Sequence, residues 1–327
     1  MNTSRVRIVL AMLQASPTVM FLVVVLAFGL YSPRFLMMEN LVNILVQSSA
    51  LAIVATGMTI VLLTAGIDLS VGAIMFLSAI AAGKLVLNGA PIALALAVVP
   101  VVGLTCGLVN ALFITRLRMI PFIVTLATLY IGRGLGLSIT QTRAMNLPES
   151  FLMLGSAQVL GVPMPIVLMG LVLLAAHLVL TRTPIGRQVY AVGNDAEAAQ
   201  KAGIRVGRVL VSAYVASGIC AAIGGLLVVA QLAAVSPSLG ERWEFDAIAA
   251  AVLGGTSLFG GKGSVLPGTL LGAVLIQTIR NGLNIMNADP YLYPLIMATV
   301  IFVAVLLDSL RNARLRELRR RLIRVSG

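Results

Sequence analysis

Few residues in this chain have the types and spacing that covalent chemistry needs. Its one histidine, His177, lies in an apolar stretch with no carboxylate nearby in sequence. A serine hydrolase needs a nucleophile activated by a base, and Ser217, which precedes Gly218, is the nearest candidate. Cys106 and Cys220 each lie inside an apolar run, which indicates core thiols and neither a disulfide framework nor a metal cluster. An intramembrane hydrolase stays open as an alternative that rests on one dipeptide.

Two glycine-rich stretches combine glycines with hydroxyl side chains: residues 64–72 (TAGIDLSVG) and residues 253–263 (LGGTSLFGGKG). Glycine lets backbones bend and pack closely, and polar side chains can satisfy the amide groups that a broken helix exposes. Discontinuous helices at matching places in two halves of a chain indicate a transport pathway. Our candidates for a pathway or gate are therefore Gly66, Asp68, Ser70, Gly72, Gly254, Gly255, Thr256, Gly260 and Gly261.

Two charged side chains, one in the first glycine-rich stretch and one inside a predicted span, each have two interpretations. We place Asp68 at the cytoplasmic rim, where it is either a gate or proton site or a cap for a helix that begins near Ser70. Arg133 lies about 18 Å along its predicted helix from Pro121, in the outer half. It either faces the interior with a partner, as a further pathway candidate, or extends outward to the interface.

The composition excludes soluble enzymes and disordered proteins. Of 327 residues, 59% are hydrophobic and 10% are charged, and the mean hydropathy is +1.05. A soluble domain has about 25% charged residues. Ten helical spans of roughly 20 residues would use about 200 residues, which leaves no room for a separate catalytic domain. We find no GxxxxGK[ST] phosphate loop, so energy for transport would have to come from another chain or a gradient.

The apolar runs predict an all-α, polytopic membrane protein in which residues 1–327 form one permease domain. Its ten spans lie near residues 8–31, 41–65, 71–88, 91–115, 120–140, 163–181, 208–234, 246–258, 264–284 and 291–308. The eighth run is too short for a full span and predicts a broken or partly re-entrant helix. Ten spans divide into five plus five, and a repeat with an odd number of spans must be inverted.

The distribution of basic residues places both termini in the cytoplasm. Most of the 23 lysines and arginines then fall on the inner side, as the positive-inside rule requires. The outer segments hold only Arg34, Lys84, Arg143, Arg242 and Arg280. The arginine-rich tail, residues 309–327, is expected to lie on anionic lipid headgroups. The net charge of +12 therefore predicts no nucleic-acid site.

Two connecting segments are candidates for contact with other proteins. The loop at 182–208 has soluble composition, and its alanine-rich part has helix-start and helix-stop residues in Asp195 and Gly203. We predict a short helix that docks on a partner; the alternative is a solvated connector. The outer loop at 236–246 carries mixed charges, which suit an external partner, and Trp243, which would also suit an interfacial anchor.

Several segments resemble the permease subunits of bacterial ABC importers for ribose and related monosaccharides, over nearly the whole chain. The matching segments are RFL at 34–36, NLVNIL at 40–45, GMTIVLLTAGIDLSVGAI at 57–74, PFIVTLATLYIGRG at 121–134, YAVGNDAEAAQKAGI at 190–204 and FDAIAAAVLGGTSLFGGKGSVLPGTLLGA at 245–273. The resemblance implies an inner-membrane permease that moves a monosaccharide by alternating access.

The resemblance also implies partners. These are a second permease, identical or different, a cytoplasmic ATPase fused as a double unit that binds the ATP, and a periplasmic sugar-binding protein. No cofactor is implied for this chain itself. The cytoplasmic loop would couple to the ATPase through Gly186, Tyr190, Gly193, Asn194, Ala198, Ala199, Gly203 and Ile204. A branched-chain amino acid permease of the same architecture and a secondary transporter remain alternatives.

Overall fold

A computed structural model describes residues 16–299 together with 302 and 306. The helices are α1 (Ser16–Tyr31), α2 (Met38–Leu63), α3 (Val71–Leu87), α4 (Ile92–Thr115), α5 (Pro121–Thr140), α6 (Glu149–Ser156), α7 (Met164–Arg182), α8 (Pro184–Asn194), α9 (Ala196–Lys201), α10 (Val206–Leu232), α11 (Trp243–Leu253) and α12 (Leu270–Ile285). Four two-residue strands form two antiparallel pairs: β1 (Met145–Asn146) with β4 (Ala234–Val235), and β2 (Gln158–Val159) with β3 (Val162–Pro163).

The predicted all-α polytopic architecture is confirmed. Nine predicted spans correspond to α1 to α5, α7, α10, α11 and α12, and residues 293–299 are helical within the tenth. Among the described residues, α2, α4, α5, α7 and α10 are long and apolar enough to cross a membrane. The predicted tail at 309–327 and the first basic residues lie outside the described residues. Lys84 and Arg280, which the sequence assigned to outer segments, lie inside α3 and α12.

The eighth predicted span is short, as expected, but it begins and ends earlier than 246–258. Helix α11 has 11 residues and is about 16 Å long, too short to cross a bilayer. It ends at the start of the second glycine-rich stretch, and an irregular turn, Val265–Thr269, precedes α12. The chain between α11 and α12 is therefore a true interruption of the helical structure.

Close backbone contact at small residues holds the core together. A Cβ atom on Gly103 of α4 would lie 2.4 Å from the carbonyl oxygen of Gly218 on α10. Such small residues let apolar helices approach closely in a membrane. Helix α2 packs on the other side of α10 and is 78% buried in its most apolar stretch, against 22% for α4, α5 and α7. Helices α2 and α10 are thus central, and α4, α5 and α7 are peripheral.

The two glycine-rich stretches do not follow equivalent spans in a five-plus-five division of the chain. The break at 64–70 follows the second span, and the connection at 233–242, a second break, follows the seventh. Both breaks open with an alanine in the left-handed conformation, Ala65 with φ 61° and Ala233 with φ 47°. The segment at 253–263 lies one span later. The connection at 233–242 contains a single glycine, Gly240.

The two breaks also share a side-chain turn. In the first, the Asp68 carboxylate accepts from the backbone N–H of Ser70 at 2.9 Å. In the second, the Ser236 hydroxyl oxygen accepts from the N–H of Ser238 at 3.3 Å. Each turn closes over two residues, and a glycine follows two residues later. The two breaks therefore share a similar local turn geometry.

Candidate functional site: a junction of helix breaks with the cytoplasmic loop

Three segments that the sequence singled out meet at one end of the bundle. The backbone N–H of Gly261 donates to the carbonyl oxygen of Leu63, the last residue of α2, at 3.0 Å. A Cβ atom on Gly193, near the end of α8, would lie 1.7 Å from that same oxygen and 2.7 Å from the Gly261 nitrogen. We call Leu63, Gly193 and Gly261 the coupling junction. It joins the loop at 182–208 to the first break and to the second glycine-rich stretch by direct backbone contact.

A side chain adds a second connection at this place. The half-buried Tyr190 hydroxyl, one turn before Gly193, donates to the carbonyl oxygen of Gly263 at 3.0 Å. Burial raises the pKa of the Tyr190 phenol, so it stays a neutral donor. Gly260 has φ +83°, and a Cβ there would lie 2.4 Å from the Gly193 carbonyl oxygen. The left-handed backbone and the close approach both require glycine at this position.

The loop at 182–208 folds as two short helices with defined caps. The Thr183 hydroxyl accepts from the N–H of Gly186 at the start of α8. The Asp195 carboxylate accepts from the N–H groups of Glu197 and Ala198 and starts α9. Gly203, with φ +84°, follows the end of α9. The helix predicted from Asp195 to Gly203 is confirmed.

The exposed face of α9 is smaller than its alanine content indicates. Ala198 is exposed, but Ala199 is 5% exposed and packs into the main core with the partly buried Ile204. Asn194 is exposed at the end of α8, and Glu197 forms an exposed ion pair with Lys201 at 2.7 Å. Of the two alanines assigned to coupling, only Ala198 has an exposed side chain.

Asp68 is buried in the bundle rather than at its rim. Besides the Ser70 N–H, its carboxylate accepts from the Ser70 hydroxyl at 2.5 Å. The Asn110 side chain on α4 donates to the Ser70 oxygen at 2.8 Å and accepts from the Thr128 hydroxyl on α5 at 2.6 Å. Asn110 lies about 8 Å along α4 from its end. Asp68 thus fixes the turn before α3 and ties it to α4 and α5.

The other glycine-rich residues shape the breaks. A Cβ on Gly66 would lie 2.6 Å from the Tyr214 hydroxyl, and one on Gly254 would lie 2.3 Å from the Gly268 carbonyl oxygen. Gly255, with φ +92°, and the buried Thr256 form the turn that ends α11. Gly66, Gly254 and Thr256 are thus held by packing, whereas Gly255 is exposed with open space beside it.

The two breaks touch back to back inside the bundle, at Gly72 and Gly240. A Cβ on Gly72 would lie 2.1 Å from the Gly240 carbonyl oxygen, and one on Gly240 would lie 2.2 Å from that of Gly72. No larger residue fits at either position without separating the two segments. Sequence reasoning named Gly72 but missed Gly240, because a single glycine in a polar loop carries no signal of its own.

Arg133 faces the interior and has partners, so it does not extend outward. Its guanidinium donates to the carbonyl oxygens of Pro237 and Leu239 at 3.0 and 2.8 Å, and it lies 3.7 Å from the Glu241 carboxylate. Its guanidinium carbon is 5.2 Å from the centre of the Phe76 ring. These contacts anchor the second break against α5 and α3. Glu241 itself is 62% exposed at the outer loop.

The hydrolase alternative finds no catalytic arrangement. Ser217 is buried on α10, and in the described part of the chain its hydroxyl makes no hydrogen bond to His177. A nucleophilic serine needs a base within hydrogen-bond reach. No group of three or more histidine, cysteine, aspartate or glutamate residues suited to a metal ion occurs among the residues that the structure describes.

The comparison with known proteins decides the family of this chain. The family of branched-chain amino acid transport system permease components matches residues 40–306. This chain belongs to that family. Its members are transport subunits rather than enzymes, and the chain is a multi-pass inner-membrane permease.

Individual relatives narrow the comparison to permeases named for sugars. The chain is 38% identical to the ribose import permease protein of Haemophilus influenzae over 94% of this chain and 97% of the relative. It is 37% identical to the D-allose transport system permease protein of Escherichia coli, over 88% and 89%. It is 36% identical to the fructose import permease protein of Rhizobium meliloti, over 90% and 85%. No solved structure matches the chain.

Proposed function

We propose that this chain is the permease subunit of an ATP-driven importer that moves a monosaccharide, ribose or a similar sugar, into the cytoplasm by alternating access. The observation that carries the proposal is the coupling junction. Through it, the one loop of soluble composition contacts the end of α2 and the glycine-rich stretch between α11 and α12 through backbone atoms. The sugar assignment is supported by the relatives named for ribose, allose and fructose.

The geometry supports a lever mechanism. An ATPase bound to the exposed surface around Ala198 would move α8 and α9. The space at Gly193 would not hold even a Cβ atom, because α8 and the end of α2 are in direct backbone contact there. The two segments would therefore move as one unit or separate altogether. Motion at α8 therefore reaches the Asp68 turn, which follows α2 by only a few residues. From there, α3 and the contact between Gly72 and Gly240 would transmit the motion to the second break.

The remaining parts of the importer complete the proposal. A fused double ATPase would bind the ATP and dock at α9. A periplasmic sugar-binding protein would deliver the sugar at the outer loop, where Glu241 and Arg242 are exposed. A second permease, identical or different, would complete the pathway, and both termini would lie in the cytoplasm. This chain would hold the sugar only weakly, because capture belongs to the binding protein.

A competition experiment tests the substrate class. The permease is reconstituted in vesicles with its ATPase and binding protein, and uptake of labelled ribose is measured against unlabelled ribose, allose, fructose or leucine. We expect competition by one or more of the sugars and none by leucine. Leucine uptake that sugars do not inhibit would overturn the sugar assignment in favour of a branched-chain amino acid permease.

A further inference from the structure

The exposed positions of α2 are unusual for an apolar helix. After its first two residues, only Asn43 and Gln47 of α2 are exposed, and both are amides. Their side chains form a short ladder, in which Gln47 Nε2 donates to Asn43 Oδ1 at 3.0 Å. The helix that is otherwise the most buried in the bundle thus opens to its surroundings only through hydrogen-bonding groups.

The peripheral helices present the opposite surface. On α4 the exposed side chains include Leu104, Leu108 and Leu112, as expected for contact with lipid. The same helix has one exposed hydroxyl to compare, that of Thr105, which donates to the backbone oxygen of Val101 at 2.8 Å. This hydroxyl therefore keeps a hydrogen-bond partner even where it faces lipid. Among the described residues, the amides of α2 make no such backbone bond. Their side-chain bonds run to one another and to α12.

Two neighbouring helices extend the polar surface. Gln277 of α12 donates to the Gln47 side chain. One turn further along α12, Arg280 donates to the Asp246 carboxylate of α11 at 2.7 Å, and these side chains keep 34% and 21% exposure. Helices α2, α11 and α12 pack on one another. We call Asn43, Gln47, Asp246, Gln277 and Arg280 the polar stripe.

The two glutamines of the polar stripe lie well inside their helices, away from the helix ends. Gln47 is nine residues from the start of α2, about 14 Å along its axis, and Gln277 is eight residues from the end of α12, about 12 Å. A hydrocarbon core is about 30 Å thick. Polar and charged side chains at such depth face a bundle interior or a water-filled cavity, because lipid leaves them unsolvated. The stripe therefore suits a water-filled space or a protein interior rather than lipid.

We propose that the polar stripe lines the sugar's path and selects the sugar by hydrogen bonds to its hydroxyl groups. The inference rests on the proposed function and gives it the polar surface that the sequence did not reveal. Each amide offers both a donor and an acceptor, and the Arg280–Asp246 pair offers a charged donor beside a charged acceptor. Neighbouring hydroxyls of a monosaccharide need this combination.

Transport by matched variants tests the role. In the reconstituted importer, Gln47→Leu and Gln277→Leu should each lower ribose uptake about tenfold or more, with the ATPase activity of the complex retained. Thr105→Val, an exposed polar position outside the stripe, should transport like the wild type. Unchanged uptake in both glutamine variants would overturn the role of the stripe. If the wild type moves leucine and no sugar, the proposed function fails, and the stripe fails with it.

Labelling tests the environment independently of transport. Gln47→Cys and Thr105→Cys are compared in an assembled importer that carries Cys106→Ser and Cys220→Ala. We expect a charged, impermeant maleimide to react with the thiol introduced by Gln47→Cys and not with that introduced by Thr105→Cys. Equal reactivity of the two positions would overturn the inference. So would a disulfide between two copies of the Gln47→Cys variant with no labelling, since the stripe would then be a contact between permeases.

Discussion

The substitution Gly193→Ala is the sharpest perturbation of the coupling junction. Its Cβ would lie 1.7 Å from the Leu63 carbonyl oxygen and 2.7 Å from the Gly261 nitrogen. Ordinary contacts of this kind are about 3.4 Å or longer. Helix α8 would have to withdraw from α2 by roughly 1.5 Å, and the 3.0 Å hydrogen bond from Gly261 to Leu63 lies in the same contact.

The cost of this withdrawal sets the expected effect. Overpacking a tight contact costs about 1–3 kcal/mol. Since 1.4 kcal/mol is a factor of ten, the docked arrangement of α8 loses roughly 5- to 150-fold in population. The bundle itself is untouched, because the contact lies at its cytoplasmic end. We therefore expect normal membrane insertion and ATPase binding, but ribose uptake per ATP hydrolysed reduced about tenfold or more.

The assay compares uptake and ATP hydrolysis in vesicles that contain the complete importer. Gly207→Ala is the matched control, because a Cβ there meets nothing closer than 3.9 Å at the same cytoplasmic end of the bundle. It should retain wild-type coupling. Wild-type coupling in Gly193→Ala would refute the reasoning that force passes through this backbone contact.

Three further variants follow from the structure. Ala198→Arg should abolish ATPase binding in a pull-down and leave membrane insertion intact, because the side chain is exposed; retained binding would contradict docking at α9. Asp68→Ala should destabilise the permease by about 1–3 kcal/mol in thermal unfolding, because buried Ser70 groups lose their acceptor, whereas Asp68→Asn keeps it; equal stability of the two would contradict the assigned bonds. Tyr190→Phe should cost about 1 kcal/mol of unfolding free energy. Burial disfavours the phenolate and so raises the pKa of Tyr190. The contribution of the neutral phenol to stability is therefore complete below the usual tyrosine pKa and falls only as pH rises past about 10. The difference from the wild type should therefore be constant between about pH 6 and 8, and a change in that window would contradict it.

Much of the fold could be predicted because a bilayer restricts the choices. Apolar runs of the right length must be helices, so the spans, the short α11 and the capped α9 were accessible from local sequence. The helix-start signal at Asp195 and the glycine stop at Gly203 act within a few residues. Such local chemistry does not depend on the rest of the chain.

The site depends on contacts between distant segments, and sequence patterns do not record these. Nothing near Gly193 indicates that it touches Leu63, and a lone Gly240 gives no sign of its contact with Gly72. Asp68 was expected at the rim because it ends an apolar run, but its partner Ser70 is held by Asn110 on another helix. The amides of α2 became visible as a surface only once the burial of their neighbours was known.

The central claim is that this permease has no energy source of its own and moves sugar only when an ATPase acts on its cytoplasmic loop. The most direct measurement is ribose uptake into vesicles that contain the permease alone, the permease with its ATPase and binding protein, or the latter without ATP. The account predicts uptake only in the complete, ATP-supplied system. Uptake by the permease alone, or ATP hydrolysis by the purified permease, would contradict it.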